Sequence, residues 1–137
     1  MNLLSSFNKI FIMGIGGSGM SSIAKYLKQK GHDVKGYDQR ISYITNLLEN
    51  DGVKTYQKFD GFRYEKDVLY IISSAIDLEG TFLEHFKENE NVISRPKFLE
   101  LLSEEVEILG ITGTHGKTST TALVFHIFHF NNKNASF

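Results

Sequence analysis

A glycine-rich segment near the amino-terminal end most constrains the fold. Residues Gly14-Ile15-Gly16-Gly17-Ser18-Gly19-Met20 contain the pattern G-x-G-x-x-G. The apolar run 9–15 predicts a buried strand before it, and apolar residues at helical spacing over 20–30 predict a helix after it. Glycines in such a turn let the backbone approach a diphosphate, which the free N–H groups of the helix attract. The segment therefore indicates a phosphorylated ligand, with a tight turn that binds nothing as the alternative.

Short apolar runs and helical stretches alternate along the following residues. Further strands are predicted over 33–38, 53–56, 68–72 and 92–93, and further helices over 43–48, 78–88 and 97–102. An alternation of this kind builds an open parallel sheet with helices on both faces. The fold class is therefore predicted to be α/β.

A second glycine-rich turn lies between a strand predicted over 106–112 and a helix predicted over 117–130. Its residues Gly113-x-x-Gly116-Lys117-Thr118 resemble a P-loop, although the strict pattern has glycine where this chain has Ile111. Backbone N–H groups of a P-loop cradle phosphates, its lysine reaches the β- and γ-oxygens, and its hydroxyl ligates Mg²⁺. A chance turn with a solvated lysine is the alternative.

A domain boundary is predicted near Glu105, which gives domains over 1–105 and 106–137. One strand and one helix cannot pair their own sheet edges or bury both faces of the helix. The second α/β domain is therefore expected to be incomplete, with only its first strand, P-loop and helix.

Composition argues against several classes of function. The 15 Lys and Arg residues against 16 Asp and Glu give a net charge of -1, which lacks the basic excess typical of nonspecific nucleic-acid or anionic-membrane binding. No apolar run approaches the roughly 20 residues that span a bilayer. Cysteine is absent, which excludes disulfides and thiol nucleophiles and fits a reducing compartment. We expect a cytoplasmic protein with no nucleic-acid or membrane partner.

Several polar residues follow the predicted strands. Asp38 lies 19 residues after Gly19, where an acidic side chain can accept hydrogen bonds from a ribose or a base; a solvated turn residue is the alternative. Ser73 and Ser74 either contact the ligand or are strand-ending turn hydroxyls. Arg95 either reaches a phosphate or sugar or is a surface base.

The last predicted helix contains His126 and His129, three residues apart and interleaved with phenylalanines. No third ligand is nearby in the sequence, so an amphipathic packing helix is favoured over a metal site. Its apolar face is expected either to pack on the first domain or to pair with a second copy of the chain.

Together, these motifs resemble the Mur ligase family along the whole chain. The resemblance rests on both glycine turns, on Gly36-Tyr37-Asp38, on Ile72-Ser73-Ser74-Ala75-Ile76, and on Arg95 before a helix. The family has its own P-loop variant, which accounts for the missing early glycine. Within the family the chain looks most like the enzymes that join L-alanine to UDP-N-acetylmuramate. One alternative is the ligase that attaches recycled murein tripeptide to the same nucleotide sugar. An alternative from another class is an NAD(P)-binding oxidoreductase or sensor.

The resemblance implies a Rossmann-like domain over 1–105 that binds UDP-N-acetylmuramate and the start of an ATP-binding domain over 106–137. The implied UDP-sugar site comprises Gly14, Ile15, Gly16, Gly17, Ser18, Gly19, Met20, Asp38, Ser73, Ser74 and Arg95. The implied ATP site comprises Gly113, Thr114, His115, Gly116, Lys117, Thr118 and Ser119. Lys117 and Thr118 would be catalytic, with Thr118 also a ligand of Mg²⁺, while His115 would space the backbone amides.

The resemblance also implies an acyl-phosphate reaction that uses ATP with Mg²⁺ and L-alanine. Chains of the family are much longer than this one and carry further metal ligands and an alanine-side domain. The 137-residue chain is therefore expected to bind the UDP sugar without turnover and to hold half of an ATP site.

Overall fold

A computed structural model describes residues 3–133 and 135 of the chain. Residues 1, 2, 134, 136 and 137 of the two predicted domains lie outside this part. Contacts between residues divide the chain into two compact units, Met1–Glu105 and Val106–Phe137.

The first unit is built on a parallel sheet of five strands in the order β3-β2-β1-β4-β5. The strands are β1 (Lys9–Met13), β2 (Asp33–Tyr37), β3 (Lys54–Tyr56), β4 (Val68–Ile72) and β5 (Val92–Ser94). The helices are α1 (Ser18–Gln29), α2 (Tyr43–Asn50) and α3 (Arg95–Ser103), with 3₁₀ turns at Leu3–Ser6 and Glu84–Phe86. The predicted open parallel sheet is confirmed.

The first face of the sheet is covered by α1, α2 and α3. Apolar residues of β1 and β4 pack there against the helices, and Phe98 of α3 is fully buried among them. The chain moves from β1 to β2 and β3 in one direction, so right-handed connections keep α1 and α2 on one face. The connection from β4 to β5 runs in the opposite direction, and its residues cover the second face.

Aromatic side chains, rather than an α-helix, cover this second face. The Phe11 ring of β1 lies 5.2 Å from Phe62 and 5.8 Å from Phe82 in edge-on arrangements. Tyr37 of β2 stacks on Phe59 with 3.9 Å between ring centroids. We call Phe11, Tyr37, Phe59, Phe62 and Phe82 the aromatic layer. Phe11 and Tyr37 project from strands, and the other three rings come from irregular loops that cover the second face.

The helix predicted over 78–88 is wrong, because only the 3₁₀ turn Glu84–Phe86 forms in that stretch. Gly80 has a left-handed φ of 72°. The N–H groups of Glu79 and Gly80 donate to the side chains of Asp77 and Glu84 instead of to helical carbonyls. The apolar residues of this stretch pack into the second face without a helix.

In the second unit, the strand predicted over 106–112 is also wrong. Among the described residues this stretch pairs with no neighbouring strand, and a strand needs a hydrogen-bonded neighbour to form. The predicted helix is confirmed as α4 (Lys117–Phe130). None of its residues is buried, and the packing of its apolar face stays a prediction. Among the described residues, no helix combines the length and apolar character needed to cross a bilayer.

Substitution of Gly36 tests the packing between β2 and the turn after β1. A Cβ on Gly36 would lie 2.5 Å from Ile15 Cδ1 and 2.7 Å from the backbone oxygen of Ile12. Gly36→Ala is therefore expected to lower the free energy of unfolding by about 1 to 3 kcal/mol through overpacking. Gly110→Ala is the control, because no atom lies within 4 Å of its Cβ position. Equal urea midpoints for the two variants would contradict this packing.

Candidate functional site

The glycine loop, residues 14–20, follows β1 at the carboxyl edge of the sheet. β1 is flanked by β2 and β4, and the chain connects these neighbours in opposite directions. Such a switch point opens a crevice beyond the strand ends, where ligands of open α/β sheets bind. Asp38 follows β2, Ser73 follows β4 and Arg95 follows β5, so the structure brings these predicted site residues to the same edge.

The first amides of the glycine loop are used to hold the loop itself. The N–H groups of Gly14 and Ile15 both donate to the Tyr37 carbonyl, at 2.7 and 3.0 Å. The Gly16 N–H donates to Asp38 Oδ2 at 2.8 Å, and the Gly17 N–H donates to the Gly14 carbonyl at 3.1 Å. These four amides are therefore directed into the protein.

The next amides belong to the first turn of α1. Gly17 is the N-cap and supplies no side-chain hydrogen bond. The N–H groups of Ser18, Gly19 and Met20 have no acceptor within the helix, as at the start of any α-helix. They combine with the positive end of the helix dipole to favour an anion at this position.

The Arg95 side chain lies against this same turn. A Cβ on Gly19 would be 2.7 Å from Arg95 Nη2 and 2.8 Å from its Cζ, so the guanidinium rests where only a glycine leaves room. Arg95 takes part in none of the ion pairs between the described side chains. A guanidinium can bind phosphate oxygens in a bidentate manner. The turn and Arg95 therefore present positive charge together.

Ser73 bounds the other side of the loop. A Cβ on Gly14 would lie 2.9 Å from Ser73 Cβ, and Gly14 has a left-handed φ of 79°. The Ser73 hydroxyl accepts a long hydrogen bond from the Ala75 N–H at 3.4 Å, an arrangement typical of a turn. Ser74 is exposed. Direct ligand contact by either serine stays a prediction.

Two residues that contact the glycine loop are not among the predicted site residues. The carbonyl of Tyr37 receives two loop amides, and the buried Thr45 places its methyl group 3.3 Å from the Cβ position of Gly16. Ser42 and Thr45 form a reciprocal capping box at the start of α2. Their spacing in the sequence is a signal for this cap, whereas a backbone acceptor such as that of Tyr37 leaves no mark in a sequence.

The predicted P-loop lies in the second unit. Gly113 and Gly116 have φ values of 152° and 75°, and Gly116 is the N-cap of α4. Lys117 Nζ donates to the Gly113 carbonyl at 2.7 Å, so the lysine closes the loop on itself. Thr114, His115, Thr118 and Ser119 are all exposed.

The part of the chain that the structure describes contains no group of three or more His, Cys, Asp or Glu side chains arranged to hold a metal ion. Mg²⁺ typically keeps several waters and takes one or two protein ligands besides phosphates. A single hydroxyl, that of Thr118, in the first turn of α4 fits that requirement.

Most of the chain matches a known protein family. Residues 9–107 match the profile described as Mur ligase family, catalytic domain. The chain belongs to the Mur ligase family. The matched residues of this Mur ligase chain include the glycine loop, Asp38, Ser73, Ser74 and Arg95, and they end before the P-loop.

Individual relatives agree with the family. The chain is 35% identical over 133 residues to a UDP-N-acetylmuramate–L-alanine ligase of Cytophaga hutchinsonii. The matched region covers 92% of this chain and 28% of the relative. The solved structure of MurC, the UDP-N-acetylmuramate-alanine ligase of Thermotoga maritima, matches with a TM-score of 0.73 and 31% identity over 88% of this chain and 29% of that one.

A solved ligase of a second kind is also similar. The UDP-N-acetylmuramate:L-alanyl-gamma-D-glutamyl-meso-diaminopimelate ligase of Neisseria meningitides matches with a TM-score of 0.74 and 28% identity, over 91% of this chain and 40% of that one. This Mur ligase chain spans 28% of the length of the Cytophaga relative.

Paired substitutions in the glycine loop test how it is enclosed. Gly14→Ala is expected to lower the free energy of unfolding by about 2 to 4 kcal/mol, because it adds a left-handed backbone penalty to a clash with the fixed Cβ of Ser73. Gly19→Ala meets only the movable end of Arg95 and is expected to stay within about 1 kcal/mol of the original chain. Equal losses in thermal or urea unfolding would contradict this difference.

Proposed function

We propose that the chain is the UDP-sugar-binding part of an ATP-dependent ligase that joins L-alanine to UDP-N-acetylmuramate in peptidoglycan precursor synthesis. The observation that carries the proposal is the Arg95 guanidinium, which forms no ion pair with the described residues and lies against Gly19, beside the first-turn amides of α1 at the sheet's switch point. This arrangement suits the diphosphate of a nucleotide sugar. The similarity to ligases of that name supports the choice of substrate.

In the proposed reaction, a lactyl carboxylate oxygen attacks the γ-phosphorus of ATP, and the bond to the β-phosphate oxygen breaks to release ADP. The amine of L-alanine then attacks the carbonyl carbon of the acyl phosphate. The tetrahedral intermediate expels phosphate, the nitrogen loses a proton, and an amide remains. Both steps gather negative charge on oxygen atoms, so cationic groups already held in place would stabilise them.

The P-loop residues of this chain would take part in the ATP half of that reaction. The amides of 113–119 would surround the phosphates, and Lys117 would exchange its bond to the Gly113 carbonyl for bonds to β- and γ-oxygens. Thr118 would hold Mg²⁺, which neutralises phosphate charge when bound. His115 keeps its proposed role of spacing the amides.

We further propose that this chain alone binds the UDP sugar without turning it over. Its span of 28% of the Cytophaga relative's length supports that statement. A cytoplasmic location is proposed on the absence of cysteine. The tripeptide-recycling ligase is the second candidate, supported by the likeness to the Neisseria enzyme. Both candidates would bind the same sugar nucleotide.

Calorimetric titration with UDP-N-acetylmuramate tests the proposal, with NAD and MgATP titrated in parallel. We expect binding of the UDP sugar and no release of phosphate when L-alanine and MgATP are added. Arg95→Ala is expected to weaken UDP-sugar binding by about 10- to 100-fold, through loss of charge-assisted hydrogen bonds. Lys97→Ala is the matched control, since its ammonium is held by Glu100 at 2.8 Å on the same helix.

Three outcomes would count against parts of this proposal. Binding of NAD without the UDP sugar would favour an oxidoreductase or sensor and overturn it. Equal effects of the Arg95 and Lys97 substitutions would remove Arg95 from the site. Phosphate release that depends on L-alanine would contradict the absence of turnover.

Self-association through α4 stays a prediction. Leu123, Ile127 and Phe130 lie at helical spacing and are 65%, 59% and 79% exposed, so they form one apolar stripe. If two copies pair through it, light scattering will show a mass that rises with concentration, and Ile127→Lys will abolish the rise. A constant monomer mass would exclude pairing.

A further inference from the structure

The Asp38 carboxylate is bonded to the backbone through both of its oxygens. Oδ2 accepts from the Gly16 N–H at 2.8 Å, and Oδ1 accepts from the Arg40 N–H at 3.0 Å. A Cβ on Gly16 would lie 2.8 Å from Oδ2 and 3.0 Å from Cγ. The glycine loop therefore rests directly on the carboxylate that the sequence predicts as an acceptor for a ribose or base.

The residues behind Asp38 give it a fixed support. Its own N–H donates to the Tyr56 carbonyl of β3 at 3.0 Å. The Ser42 N–H donates to Thr45 Oγ1 at 2.8 Å, and the Thr45 N–H donates to Ser42 Oγ at 3.2 Å. Thr45 is almost fully buried, with its methyl group directed at Gly16. The turn between β2 and α2 thus holds both Asp38 and the neighbouring surface of the loop.

The hydrogen bond from the Gly16 N–H to Asp38 lies just before the first turn of α1. The Gly14 and Ile15 amides are already held by the Tyr37 carbonyl, and the first-turn amides of α1 start at Ser18. Gly16 is the last residue before that turn whose N–H donates to an acceptor outside the loop, because the Gly17 N–H donates to Gly14 within it. A carboxylate is a stronger acceptor for an N–H than a neutral carbonyl, so this bond sets the path by which the chain enters the turn.

We infer that Asp38 is a positioning residue for the proposed diphosphate site: it holds Gly16 so that the amides of Ser18, Gly19 and Met20 stand ready for phosphate, and it does not itself bind the nucleoside. The inference rests on the proposed function. Two N–H donors also offset the negative charge of the carboxylate, which would otherwise repel a diphosphate nearby. Discrimination between nucleosides then resides in other residues.

A double-mutant cycle between protein and ligand separates positioning from contact. The protein change is Asp38→Asn, which keeps the size of the side chain but leaves one oxygen for two N–H donors. The ligands are UDP, 2′,3′-dideoxy-UDP and CDP, which change the ribose hydroxyls or the base. Asp38→Asn is expected to weaken all three by the same factor, about tenfold. Asp33→Asn, at the opposite end of β2, is the control and should leave all three affinities unchanged.

A spectroscopic measurement on the unchanged chain gives a second test that needs no variant. A coupling across the hydrogen bond is expected between the Gly16 amide nitrogen and the Asp38 carboxylate carbon, and the Gly16 amide proton is expected to resonate downfield. The carboxylate carbon of Asp33, at the other end of β2, should show no coupling to Gly16. Absence of the coupling between Gly16 and Asp38 would overturn the inference even if Asp38→Asn failed to fold.

The remaining outcomes separate this inference from the proposed function. If Asp38→Asn costs UDP more than dideoxy-UDP or CDP, the carboxylate contacts the nucleoside and the positioning role is wrong. If Asp38→Asn leaves all affinities unchanged, the role is also wrong. If the unchanged chain binds neither UDP nor UDP-N-acetylmuramate, the proposed function fails, while the Gly16 resonance still reports whether the bond exists.

Discussion

The glycine loop has to leave β1 through a gap bounded by the ends of two neighbouring strands. On one side Gly14 lies against Ser73 after β4, and on the other Gly16 lies against Asp38 after β2. Because all five strands are parallel, these contacts gather at one edge of the sheet. A side chain at Gly14 or Gly16 would push Ser73 or Asp38 away and widen the gap. The two glycines therefore fix the distance between the loop and the ends of the neighbouring strands.

Within that gap the loop divides its amides between two tasks. The amides of 14–17 donate to acceptors within the protein, and those of 18–20 form the first turn of α1 and have no helical acceptor. Arg95 directly follows β5, as the first residue of α3, so its backbone is placed by the sheet and not by a long loop. Backbone amides held in regular elements lose little conformational freedom when an anion binds. The backbone part of the candidate site is therefore preorganised.

The sequence was a good guide to the sheet and a poorer guide to what covers it. Apolar runs predicted β1 and β4 correctly, because a strand buried on both faces needs apolar residues throughout. The apolar residues of 78–88 share helical spacing, but Gly80 and the side-chain acceptors of Asp77 and Glu84 favour a turn. The stretch 106–112 has the composition of a strand and lacks a neighbour to pair with among the described residues.

Spacing also placed Asp38 at the correct edge and could not show how its oxygens are used. That use depends on Gly16, which is 22 residues away in the chain, and on a loop path that only the folded sheet defines. Arg95 is a similar case. Its position before a helix was readable, whereas its contact with Gly19 is a tertiary relation between two helices.

Tyr37 connects the aromatic layer with the glycine loop. Its ring stacks on Phe59 in the aromatic layer, while its carbonyl accepts hydrogen bonds from two amides of the glycine loop. The loops that carry the aromatic layer have no α-helical framework, and such regions open more readily than helices or strands. Loosening of that layer, by heat or by a remote substitution, would therefore be transmitted to the glycine loop through Tyr37, and the affinity for the proposed nucleotide would report on the order of the aromatic layer.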